Sequence, residues 1–187
     1  MCAATYGKSE VSNPDRLYWD SSVYLDYLTG EHPLHGLMQM VIDDWQKGLV
    51  TLATSALTLA EVYFVRSGTP KRVDRSRDKD IDALFDPPPG HRLLIVELSR
   101  LTALRARDLA RNASVSGPDA IHIASALEAH CQTMHTNDAA LWTKSGTVGG
   151  TPTLRIEAPT WTKQLTVDDA ISSGGSSAEP SEGSQSS

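Results

Sequence analysis

The sequence predicts an α/β protein, a three-layer α/β/α sandwich around a mainly parallel sheet of about five strands. Three observations predict it. Short apolar runs alternate with longer segments whose apolar residues recur at helical spacing. Alternation of this kind builds a parallel sheet covered on both faces. A chain of 187 residues, 40% hydrophobic and 21% charged, suits one domain with a genuine core plus loose ends.

Taken in order, residues 1–15 are polar and read as a flexible N-terminus, with the domain proper over 16–158. Leu17–Asp20 is a first strand that runs from apolar residues into an acid, followed by a helix over Ser22–Leu28. Leu34, Leu37, Met38, Val41, Ile42 and Trp45 share one helical face and predict a helix over Leu34–Lys47. Val50–Thr54 is a second strand, with a helix over Leu57–Arg66 behind it. The mixed-charge run KRVDRSRDKDID reads as a solvated helix or loop, with a helix over Ser76–Phe85. Asp86-Pro87-Pro88-Pro89-Gly90 stops that helix, because proline lacks a backbone donor and clashes with the preceding turn. Leu93–Leu98 is a third strand, followed by helices over Arg100–Asn112 and Pro118–His130. Thr133–Thr136 is a fourth strand, Ala139–Lys144 a short helix and Leu154–Glu157 a fifth strand. Residues 159–187 form a C-terminal extension, Gly/Ser-rich from about Ile171, which buries too little apolar surface to order itself.

Composition narrows the function classes. No apolar run approaches the roughly 20 residues of a bilayer span, and the first 16 residues lack the apolar stretch of a secretory signal. Cys2 and Cys131 stand far apart, so a disulfide scaffold is not expected and the cytoplasm is the expected setting. The net charge of -6 is unevenly spread: Arg66–Arg111 holds eleven basic and seven acidic residues, leaving about -10 on the rest. Such asymmetry lets an anionic polymer dock on one side of an acidic protein. Arg66, Lys71, Arg72, Arg75 and Arg77 are the first candidates for phosphate contact. Trp19, Tyr24, Tyr63 and Trp142 are aromatic neighbours of the motifs, read as core in preference to base-stacking platforms.

Right-handed crossovers bring all strand C-termini to one edge of such a sheet, where ligands bind. Four acids fall there. Asp20 ends the first strand, Glu61 lies in the early turns of the helix after the second, and Asp119 opens a helix behind Ser116 and Pro118. Asp138 closes the fourth strand. Singly, an acid in a first helical turn is explained by the helix dipole, and Asp138 serves equally as a helix cap. Jointly, four carboxylates from separate segments would repel one another without a cation between them. Oxygen-only ligation suits Mg²⁺ or Mn²⁺.

The succession D-S-S after an apolar strand, T-x-x-E at a helix, then PDAIHIASALEAHCQTMHTND resembles the PIN-domain family, most closely its VapC-like toxin endoribonucleases, over about residues 16–157. The resemblance implies Asp20, Glu61, Asp119 and Asp138 as metal-binding and catalytic residues, with Ser22 supporting Asp20 and Thr136 supplying a hydroxyl beside the metal site. It implies RNA as substrate, Mg²⁺ or Mn²⁺ as cofactor, a small antitoxin protein as partner, a homodimer, and no membrane. His130 replaces the glycine common at that helix end, which predicts a different closure there. His122, one turn after Asp119, reads as a structural histidine in preference to a ligand. The main alternative is a catalytically silent PIN-like module that binds RNA or an antitoxin. A phosphatase-type hydrolase with Asp20 as nucleophile would want a second Asp two residues on, where Ser22 stands. A DNA nuclease of the same family is the third reading.

Overall fold

The computed structural model describes residues 15–161; the readings for residues 1–14 and 162–187 lie outside them. Five strands, β1 (Arg16–Trp19), β2 (Thr51–Ser55), β5 (Leu93–Val96), β6 (Thr133–His135) and β7 (Arg155–Glu157), form one sheet in the order β5-β2-β1-β6-β7. Every pairing is parallel, with Tyr18 opposite Ala53 on one side and Met134 on the other. The strand count and the parallel sheet are those the alternation predicts.

Side-chain alternation along β1 divides the core. Leu17 and Trp19 point into an apolar cluster with Val23 and Leu28 of α1 (Ser21–Thr29), Met38 and Trp45 of α2 (His35–Gln46), and Ile81 and Leu84 of α4 (Asp78–Phe85). Tyr18, between them, points the other way. It packs with Ile123 and Ala126 of α6 (Gly117–Glu128), Leu141 of α7 (Ala139–Trp142), and Met134 and Ile156 of the sheet. Ala106 of α5 (Arg100–Ala113) meets Ala120 and Ala124 of α6, small residues that let the two helices approach closely. The sheet is thus covered on both faces.

Two elements differ from the sequence reading. The helix after β2, α3, stops at Glu61 and covers only Ala56–Glu61, not Leu57–Arg66. Beyond it the β-branched and aromatic residues Val62, Tyr63, Phe64 and Val65 favour extended backbone. Val65 is buried in the first cluster as the start of a hairpin, β3 (Val65–Ser67) with β4 (Arg72–Asp74). The charged run is therefore part strand, then a 3₁₀ turn (Arg75–Arg77) capped by Asp74, then α4. The second difference is at His130, which takes the left-handed conformation itself (φ 55°), so the expected change of closure does not occur. The C-terminus of α6 closes as a glycine would close it, with strain carried by a side chain.

Helix starts cluster at one edge of the sheet. Asp20, Ser99 and Asp138 each follow a strand, Ser55 ends one, and all four accept a hydrogen bond from the first turn of the next helix; Ser116, after α5, accepts one from the first turn of α6. Strand order reverses between β1 and β6, so Asp20 and Asp138 flank the crevice at the C-terminal ends of those strands, the usual ligand position in open parallel sheets.

Candidate active site

Asp20 lies one residue past β1 and is 5% exposed. Its Oδ1 accepts from the Val23 amide at 3.1 Å and the Ser22 hydroxyl at 2.6 Å. Burial pushes its carboxyl up; the Ser22 and Thr136 hydroxyls, His122 and the Val23 amide oppose that shift. Ser22 also accepts from the Asn137 amide at 3.0 Å, and Asn137 Nδ2 donates to Asp26 Oδ2 at 2.6 Å. These bonds latch the start of α1 to the β6–α7 loop. Thr136 is fully buried and its Oγ1 accepts from the Asp138 amide at 3.1 Å. Ser22 and Thr136 thus stand between Asp20 and Asp138.

Asp138 is exposed and caps α7 through the Ala140 amide at 2.8 Å. Asp119, half-buried, accepts at 2.6 Å from the Ser116 hydroxyl, which in turn receives the Asp119 amide. Asp119 and Asp138 line one cavity of about 380 Å³, together with Lys144. Glu61 is the last residue of α3, not an early-turn residue as the sequence reading placed it. Its Oε2 lies 3.0 Å from His122 Nε2, and this bond, aided by the Ser21 hydroxyl against partial burial, holds its carboxyl below the ordinary range. His122, buried, takes the hydroxyl of buried Tyr18 on its other ring nitrogen at 2.8 Å.

The four acids therefore reach the same edge in two linked pairs, Asp20 with Asp138 through Ser22, Thr136 and Asn137, and Glu61 with Asp119 through α6. Among the described residues no three His, Cys, Asp or Glu side chains form a group that could hold a metal ion. In donor chemistry the set fits a hard divalent cation, being all oxygen. Among the described residues no Lys or Arg forms an ion pair with Asp20, Asp119 or Asp138, and buried Asp20 has only neutral donors in hydrogen-bond contact. Basic side chains among the described residues thus leave these three acids unneutralised, and the acids as they stand do not enclose an ion.

Sequence reasoning missed Tyr18, Asn137 and Lys144 as neighbours of these acids. Strand alternation signals Tyr18, since it faces away from Trp19; nothing local signals the other two. Of the five basic candidates, Arg75 and Arg77 pair with Asp78 and Asp80 at 3.4 and 2.9 Å, and Arg66 sits 5.1 Å from the Phe64 ring centroid. Lys71 and Arg72 are exposed at the hairpin. Trp19 and Tyr24 are core, whereas Tyr63 and Trp142 are 63% and 39% exposed.

No curated protein matches the chain in sequence. Among solved structures, VapBC2 from Rickettsia felis, bound to a DNA fragment from its promoter, is 16% identical with a TM-score of 0.53, covering 79% of this chain and 99% of its own. VapC20 of Mycobacterium tuberculosis, a Sarcin-Ricin loop cleaving toxin, is 14% identical with a TM-score of 0.49 over 66% of this chain and 90% of its own. A toxin–antitoxin complex from Klebsiella pneumoniae is 18% identical with a TM-score of 0.46 over 70% of this chain and 92% of its own. The first of these shares the fold. The PIN domain model matches residues 17–143, from β1 through α7 and across all four acids, and on that match the chain belongs to the PIN-domain family.

Proposed function

We propose that the protein is a metal-dependent endoribonuclease, hydrolysing RNA phosphodiester bonds as the toxin of a toxin–antitoxin pair. The observation that carries this reading is the placement of Asp20 and Asp138 at the switch point of a PIN-family sheet, with Asp119 across a shared cavity from Asp138. Asp20, Glu61, Asp119 and Asp138 would hold Mg²⁺ or Mn²⁺. When bound, such an ion acidifies a water and steadies the charge that develops on phosphate oxygens. Ser22 and the Val23 amide fix the Asp20 carboxylate by donating to it, with the Thr136 hydroxyl beside them, so that its orientation is set before any ligand arrives. Lys144 brings a positive charge to the cavity of Asp119 and Asp138 and gives a phosphate a first point of attraction beside the acids. Lys71 and Arg72, on the exposed hairpin, extend that attraction along the RNA backbone, with Arg66, Arg75 and Arg77 behind them. The antitoxin, the homodimer and a cytoplasmic setting follow from the same reading. Among the described residues no helix is long and apolar enough to cross a membrane.

The silent alternative, a PIN module that binds RNA or an antitoxin without cutting, is favoured by one observation: the absence of a three-ligand group among the described residues. Total RNA incubated with Mn²⁺ and the full-length protein decides between them. The nuclease reading expects cleavage by the wild type that falls to the protein-free level in Asp20→Asn and in Asp119→Asn. Intact RNA with the wild type, retained on the protein in a filter-binding measurement, would establish the silent module instead.

A further inference from the structure

The link between Tyr18, His122 and Glu61 is built like a support for the acid it ends on. Tyr18 is fully buried and His122 is 3% exposed, while Glu61 stands half-buried at the acidic edge. A carboxylate only accepts, so the hydrogen between His122 Nε2 and Glu61 Oε2 belongs to the ring. In the neutral ring Nδ1 then has a free lone pair, and the Tyr18 hydroxyl donates to it. Both hydrogen bonds thus run outward, from the middle strand of the sheet to the carboxylate. A histidine needed only for packing could satisfy Nε2 with a nearby backbone carbonyl; this one spends it on an acid 61 positions away in sequence.

We propose that His122, held in one tautomer by Tyr18, is a positioning residue that engages Oε2 of Glu61 and so fixes how that carboxylate faces a divalent ion. The ion in this statement rests on the nuclease reading; the aligned Tyr18–His122–Glu61 support does not.

Two measurements on the full-length protein test it. In the first, Mn²⁺ is titrated by calorimetry into the wild type, His122→Leu and His122→Gln, with folding checked by circular dichroism. His122→Leu should weaken Mn²⁺ binding about tenfold, whereas His122→Gln, which keeps an N–H near the Nε2 position, should stay within about threefold of wild type. Undiminished binding in a folded His122→Leu, or equal losses in both variants, overturns the proposal. In the second, the ¹⁵N-labelled histidines of the metal-free protein are observed by NMR. His122 should be the Nε2–H tautomer, its Nδ1 signal moving in Tyr18→Phe and its Nε2 proton moving in Glu61→Gln. Signals that stay in place in both variants overturn it even if Mn²⁺ binds. A wild type that takes up no Mn²⁺ while both signals move leaves the support standing and removes the metal-dependent reading instead.

Discussion

In the unfolded chain the Asp20 carboxyl ionises freely in water; in the fold it must do so at 5% exposure, without an ion pair to a Lys or Arg among the described residues. Its raised pKa means that the charge weakens the native state at neutral pH. Asp20→Asn keeps an oxygen that can accept from Val23 and Ser22, and it is expected to unfold at a denaturant concentration no lower than wild type at pH 7. A clearly lower midpoint would show that the ionised carboxylate stabilises the fold. His135 poses the opposite case. It is buried, accepts from Trp19 Nε1 on Nδ1 at 3.2 Å, and burial, with Arg155 adding to it, lowers its pKa to about 4. Between about pH 6.5 and 4 the unfolded imidazole binds a proton that the folded one does not, so stability falls as the solution is acidified. The loss reaches roughly 3 kcal/mol by pH 4. His135→Asn supplies a non-titrating acceptor to Trp19, and urea midpoints measured across this window should lose most of the slope. Asp20, Asp119, Asp138 and Ser22 each sit in a local pattern of strand end, cap or helix start that the sequence displays, whereas Glu61 ends a helix that the sequence reading made longer. The tie between His122 and Glu61 was not legible there, since it joins positions that only the folded sheet brings together.

At the scale of elements, the strands and long helices of the sandwich follow from periodicity and stop signals that the sequence displays openly. The β3–β4 hairpin does not: its strands are three residues each, half of them exposed and half of them charged, so alternation has no room to show. The shortening of α3 belongs to the same error, because the burial of Val65 in the first apolar cluster reinforces the extended preference of the β-branched and aromatic run before it. The turn before β7 offers a sharper test. Gly150 has φ +107°, and a Cβ there would lie 2.9 Å from the Pro152 carbonyl oxygen and 3.1 Å from Leu127 Cδ2. Both the backbone conformation and the space exclude a side chain, so Gly150→Ala should destabilise the protein by about 1–3 kcal/mol. Thermal melts of the two proteins measure it, and a variant within a few tenths of wild type would contradict the geometry.

For the whole molecule, charge and topology act together. On the proposed nuclease reading the acidic edge would admit a polyanion into a protein of net charge -6, and the exposed hairpin cations would be its approach surface. If Lys71 and Arg72 each neutralise one phosphate of a single-stranded RNA, removing both should lower the slope of log affinity against log salt by about 1.4. The comparison is RNA binding by Asp20→Asn alone and by Asp20→Asn with Lys71→Ala and Arg72→Ala, across a salt series; an unchanged slope assigns the docking surface elsewhere. One further property of the molecule follows from β1, which sends adjacent aromatic rings to opposite layers. A single inserted or deleted residue there would exchange Tyr18 with its neighbours, emptying both layers and carrying Asp20 off the crevice in the same step. The hairpin, lying outside the main sheet, can lengthen or shrink with neither effect. Descendants of this chain should therefore vary in length at the hairpin and keep that central strand fixed.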